Sequence, residues 1–189
     1  MPETIRGFVA FDIGNAQVLK RLGEAQDILA KTGADLSLVR PQNIHITLRF
    51  LGDITLSMVE KIDKEMQSIV FRPFDVEIKG MGAFPNVKYA RVVWVGIQQG
   101  ADELMAVFDQ LEPRLRQLGL APDSKGFSPH LTIARVRGGR NKQALVGCVN
   151  ELAAYEFGKV HADCLRLKKS VLTPQGPIYS TLKEAHASA

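Results

Sequence analysis

Apolar positions recur along this chain with two periods, one of about 3.6 and one of 2, and the two kinds of segment alternate. Residues 5–11 are a small-and-apolar run that reads as a strand. From 15 to 31, Val18, Leu22, Ala25 and Leu29 fall on one helix face, with Asn15 placed to cap the start and Gly33 to end it. Residues 43–51 read as a strand, followed by a turn at Gly52-Asp53. Val59, Ile62, Met66 and Ile69 form the core stripe of a second helix over 56–70, capped by Thr55. Strands are predicted over 73–83 and 89–97, joined through Phe84-Pro85-Asn86. A third helix over 102–118 is closed by Gly119. A strand over 128–137, a turn at Gly138-Gly139-Arg140 and a helix over 141–155 come next. Strands over 160–169 and 178–183 follow, and residues 184–189 are expected to fray.

Two of these strands carry near copies of one tetrapeptide. His45-Ile46-Thr47-Leu48 and His130-Leu131-Thr132-Ile133 lie 85 residues apart and use two of the four histidines in the chain. In a strand, alternate side chains share a face. Each His and Thr therefore points one way, toward a cleft, and each apolar pair points the other way, into a core. The segments 4–11 and 89–96 also share a pattern, with Arg6 and Arg91 again 85 apart. Two tandem copies of strand–helix–strand–helix–strand are expected, about 4–85 and 89–183. Together they would make one two-lobed domain over 1–189, because a half cannot bury its own apolar face as well as a pair can.

Composition narrows the class. With 46% hydrophobic and 23% charged residues over 189 positions, the chain can bury a real core. No apolar run approaches the ~18–20 residues of a membrane span, and Met1-Pro2-Glu3-Thr4 lacks the features of a secretory signal. Cys148 and Cys164 show neither a CxxC nor a metal-type spacing, so a reduced, cytoplasmic protein is expected. The formal charge of +4 is modest, but basic residues gather near the motifs. Arg40 and Arg49 flank the first; Lys125, Arg135, Arg137 and Arg140 flank the second; Lys168 and Lys169 come later. Such residues give a phosphate its position and affinity without reading bases.

Two imidazoles and two hydroxyls on one cleft are the equipment for acid–base chemistry on a phosphate ester. Histidine titrates near neutrality, so one ring can take a proton from the nucleophile while the other gives one to the leaving oxygen. Thr47 and Thr132 can donate to the nonbridging oxygens. Preorganised donors of this kind cost roughly 2.7–4 kcal/mol when removed from comparable sites. No clustered ligand set and no phosphate-binding glycine loop is visible, so neither a metal nor a cofactor is called for.

With these residues in hand, the chain resembles the 2H phosphoesterases, and within them the RNA 2′,3′-cyclic phosphodiesterases also called 2′–5′ RNA ligases. The resemblance spans nearly the whole chain. It is carried by 45–53, by 128–135, and by the blocks 82–85, 91–94 and 170–179. It implies an α+β fold of two pseudo-symmetric lobes, with antiparallel sheets facing a central cleft and helices outside. It implies hydrolysis of RNA ends bearing a 2′,3′-cyclic phosphate, tRNA fragments among them, to 2′-phosphates. In some members it implies reversible 2′–5′ joining. His45 would be the general acid and His130 the general base, an order that the near-twin motifs cannot themselves set. Thr47 and Thr132 would bind phosphate, and Arg135 would contact the phosphate or leaving group. Phe11, Phe50, Phe127 and Tyr179 are candidates to stack on a base, and Trp94 is expected in the core. A chain acting as a monomer is expected. Two other readings stay open: a phosphodiesterase for a small cyclic nucleotide or ADP-ribose cyclic phosphate, and a non-catalytic RNA-binding module.

Overall fold

The computed structural model describes residues 3–124 and 126–188. Lys125, one of the basic residues near the second motif, lies outside them, as do Met1, Pro2 and Ala189. Within the described residues the strands are β1 (Thr4–Asp12), β2 (Leu36–Leu38), β3 (His45–Thr55), β4 (Phe74–Phe84), β5 (Val92–Ile97), β6 (His130–Val136), β7 (Glu156–Ala162), β8 (Cys164–Thr173) and β9 (Gly176–His186). The helices are α1 (Ala16–Lys31), α2 (Leu56–Gln67), α3 (Ala101–Gln117) and α4 (Lys142–Glu151). None of them is long and apolar enough to cross a membrane. The caps act as their residue types dictate: Asn15 accepts from the backbone of Gln17 and Val18, and Thr55 accepts from Met58.

All strand pairs are antiparallel, and they form two sheets ordered β3-β1-β8-β9 and β2-β6-β5-β4-β7. The runs 3-1-8 and 6-5-4 correspond position for position. Each sheet takes strands from both halves of the sequence, and so do the helix layers. Helices α2 and α3 pack with the first sheet, α1 and α4 with the second. Neither stretch 4–85 nor 89–183 therefore builds a lobe from its own elements. The apolar residues of the two motifs bury fully: Ile46, Leu131 and Ile133 are at 0% exposure and Leu48 is at 2%. Burial on this scale is worth roughly 1.5–3 kcal/mol per side chain.

Several boundaries differ from the sequence pattern for identifiable reasons. The expected turn at Gly52-Asp53 is a kinked continuation of β3. Gly52 sits at φ +70 and still pairs with Gly7, while a bulge absorbs one residue between Gly7 and Phe8. The expected strand 160–169 is two strands that part at Asp163, β7 joining one sheet and β8 the other. The expected frayed tail is tied down. β9 runs to His186, Ala185 is buried, Ala187 N donates to Asp163 O, and Ser188 N donates to Phe71 O.

A matched bulge falls on the last residue of each motif. Ala10 pairs with Thr47 and Val9 with Arg49, which leaves Leu48 extra. Trp94 pairs with Thr132 and Val93 with Ala134, which leaves Ile133 extra. Strict alternation would put Arg49 and Ala134 on the His/Thr face. The bulges turn both inward, to 7% and 0% exposure, and give that face Phe50 and Arg135 instead. Buried polar groups hold both irregularities. Arg49 bonds Glu112 Oε2 at 2.6 Å and the carbonyls of Phe50 and Ala121. Gln26 Nε2 donates to the carbonyls of Ile133 at 2.8 Å and Val39 at 2.7 Å.

Candidate active site

β3 and β6, the two motif strands, contact each other although they belong to different sheets. Their histidines are held alike. His45 Nδ1 is 2.6 Å from the carbonyl oxygen of Asn43, and His130 Nδ1 is 2.6 Å from that of Ser128. A carbonyl can only accept, so each Nδ1 carries the proton, and each Nε2 is the nitrogen that titrates. A neutral ring then offers Nε2 as a base, and a charged ring offers Nε2–H as an acid. This shared support was visible in the sequence only as position: the supporting residue stands two places before each histidine.

The two rings sit in different surroundings. His45 stacks on Phe8 with centroids 4.8 Å apart and meets the edge of Tyr179 at 5.4 Å. His130 meets Phe84 edge-on at 5.0 Å, and Phe84 packs against Trp94 at 5.4 Å. Burial holds His45 down to about 4; Lys168 and His130 push the same way, against the Asn43 carbonyl and Asp12. Burial also lowers His130, against the Ser128 carbonyl. The two imidazoles thus feel each other's charge, and without a bound anion both are neutral at pH 7.

Thr47 and Thr132 are half-buried beside their histidines. Arg135 is exposed on the His130/Thr132 face, and with Arg6 it acts on the Tyr179 hydroxyl, whose pKa burial raises. Arg6 from one sheet and Arg135 from the other therefore both put positive charge toward the same hydroxyl. Lys168, 8% exposed, bonds Asp12 Oδ1 at 2.6 Å.

Other sequence candidates are not brought to the site. Phe11 is core, edge-on to Phe71 and Phe74. Phe127 stacks on Phe108 at 5.1 Å. Arg49 is internal, and Arg140 Nε binds the Gly33 carbonyl. Phe50 remains available at 62% exposure, close to Phe8. Trp94, expected in the core, lies on the Thr132 face with its ring over Gly82, where a Cβ would come within 2.3 Å of it. Arg6 and Arg91 are not equivalent. Trp94 rather than Val95 pairs with Thr132, so the 85-residue offset slips by one in β5 and leaves Arg91 off the face that Arg6 shares. The fold also gathers one donor group that sequence spacing hides: Cys164, Glu184 and His186.

Two facing antiparallel sheets, each presenting a His-x-Thr strand whose imidazole is fixed through Nδ1, define the 2H phosphoesterase class. The model of the LigT-like phosphoesterase family matches residues 13–94 and again 95–179. This chain belongs to that family. It is 43% identical over 169 residues to an RNA 2′,3′-cyclic phosphodiesterase of Aeropyrum pernix, covering 89% of this chain and 96% of that one. It is 33% identical over 181 residues to the enzyme of the same name from Methanothermobacter thermautotrophicus, covering 95% and 97%. Among solved structures, a protein from Thermus thermophilus superposes with a TM-score of 0.80 at 24% identity, over 96% of this chain and 97% of that one. E. coli LigT complexed with 3′-AMP gives 0.79 at 20% identity, over 99% and 100%. At these identities the structures speak for the fold.

Proposed function

We propose that this chain hydrolyses RNA ends bearing a 2′,3′-cyclic phosphate to 2′-phosphates by paired-histidine acid–base catalysis. The observation that carries this reading is the identical Nδ1–carbonyl support of His45 and His130 on facing strands, in a chain whose relatives bear that enzyme's name. His130 Nε2 takes a proton from water, the water oxygen attacks phosphorus, and the P–O3′ bond breaks. His45 Nε2–H protonates the departing O3′. Thr47 and Thr132 donate to the nonbridging oxygens, and Arg135 steadies the phosphate from the second sheet. The ring that acts as acid must first gain a proton, and the bound phosphate anion favours that gain. The same steps in the same direction, with an RNA 5′-hydroxyl in place of water, break P–O3′ and form a 2′–5′ bond, and their reversal regenerates the cyclic phosphate.

One proton passes from water to His130 and the other from His45 to O3′, so the histidines carry out both transfers without a metal, and activity is expected to survive EDTA. Action by a monomer is part of this reading. The free, buried thiols of Cys148 and Cys164 fit a reducing, cytoplasmic setting. The matching runs 3-1-8 and 6-5-4 of the two sheets, and the two successive family matches, support an origin by duplication of about 4–85 and 89–183 within one domain.

The test is incubation with an oligonucleotide ending in 2′,3′-cyclic phosphate, run beside mononucleoside cyclic phosphates, with the product isomer identified. A dominant 2′-phosphate on the RNA end is expected. An equal mixture of isomers would defeat the fixed orientation. Turnover of mononucleotides alone would move the substrate to the small cyclic phosphates.

A further inference from the structure

The far end of the β8–β9 ladder carries a set of donors that the phosphodiester chemistry does not use. Cys164 and His186 stand directly opposite each other, and Glu184 stands opposite Arg166 two places along. In an antiparallel pair these four side chains share one face. Sγ of Cys164, a carboxylate oxygen of Glu184 and a ring nitrogen of His186 all lie within 4.8 Å of one another. The Glu184 carboxylate is already divided between two tasks. Oε1 accepts from Arg166 Nε at 2.9 Å, and Oε2 lies 3.6 Å from His186 Nε2. The ladder holds to its last pair, since Ala187 N donates to Asp163 O at 2.7 Å just beyond it.

We propose that Cys164, Glu184 and His186 form a binding site for a zinc-class divalent ion, separate from the two histidine motifs. A thiolate, an imidazole and a carboxylate are the donors such an ion takes, and a thiolate disfavours magnesium and calcium. Tetrahedral coordination at bond lengths of about 2.0–2.3 Å brings donors to within roughly 3.3–3.7 Å of each other. The His186 and Glu184 side chains are 69% and 43% exposed, so rotamer changes at the surface can close the remaining gap onto the buried sulfur. Arg166 orients the carboxylate from behind, as outer partners of metal ligands do. Three protein donors leave a fourth position for water. The ion would join the ends of β8 and β9 and stabilise the hairpin by binding only the folded state.

The experiment uses the full chain, stripped with a chelator and titrated with cobalt(II), then with zinc in competition. One ion per chain with a thiolate-to-cobalt charge-transfer band is expected, and zinc should raise Tm. Cys164→Ser should abolish the band, and His186→Ala should weaken binding at least tenfold and remove the zinc effect on Tm. The His186 side chain is exposed, so its loss leaves the fold intact. His161→Ala, at an exposed histidine paired with Asp75 on the other sheet, should change nothing. Absence of the band at millimolar cobalt would overturn the proposal, and so would equal zinc binding by the wild type and His186→Ala.

Discussion

Asp12 stands directly across the β1–β3 ladder from His45, with its carboxylate already held by Lys168 at 2.6 Å and by Arg166 at 3.6 Å. The arrangement adjusts how His45 titrates. Burial lowers the ring's pKa most, the Lys168 cation lowers it further, and the Asn43 carbonyl and Asp12 oppose them. With His45 near 4 and His130 also lowered, the pH profile of kcat/KM should be a bell centred on the acid side of 6.5, its two limbs belonging to the histidine pair. In Lys168→Met the cation is gone and Asp12 is less neutralised, so both changes raise His45. The bell should move to higher pH, and an NMR titration of His45 should move with it. An unmoved bell together with an unmoved resonance would remove Lys168 from the account.

The same depression links acid to stability. His45 binds its proton near pH 4 when folded and near 6.5 when unfolded. Between those values the unfolded chain holds more protons, so stability falls as pH drops through 6.5 and this loss is complete by about pH 4. At about 1.4 kcal/mol per unit the loss has a ceiling of about 3 kcal/mol, reduced by the solvent that reaches the ring. His45→Gln lacks the titration. Urea denaturation at pH 7.5 and 4.5 should show a smaller pH-dependent loss for the variant than for wild type. Equal losses would mean that burial does not depress His45.

Gln26, 4% exposed, links α1 to the bulge behind the second motif. Gln26→Leu removes the side-chain donor from two carbonyls, although Val39 N still reaches Ile133 O at 2.9 Å. A loss of about 1–3 kcal/mol is expected for the buried carbonyls left short of a donor. Turnover should fall as well, because the bulge aims Arg135. Denaturation midpoints and single-turnover rates measure the two effects. A stable variant with unchanged rate would show that the bulge holds without Gln26.

The motif strands were legible because alternation and apolar runs report directly on which face meets the core, and 45–48 and 130–133 fold as their pattern says. α1 and α2 were legible through Asn15, Thr55 and the stripes they begin. The bulges at Leu48 and Ile133 were not, because a bulge depends on the partner strand. For that reason Arg49 counted as a basic residue of the site although it is internal. The break at Asp163 was hidden in the same way: a sequence shows extended residues but not which sheet takes them. Trp94 reads as core by its type, and only the Gly82 facing it shows that the ring lies flat on the cleft side. Cys164 and His186 are 22 residues apart along the chain, and only the hairpin register makes them neighbours.

The central claim is that His45 and His130 divide one proton transfer each. Its most direct test is the turnover of an RNA oligonucleotide ending in 2′,3′-cyclic phosphate by wild type, His45→Ala and His130→Ala, with circular dichroism and thermal melts run on the same samples. Each variant should remain folded and lose at least ~10²-fold in kcat, within the range for general acid–base catalysis. The double variant should lose far less than the product of the two single effects, because the residues act as a unit. Near-wild-type hydrolysis by either folded single variant would contradict the account.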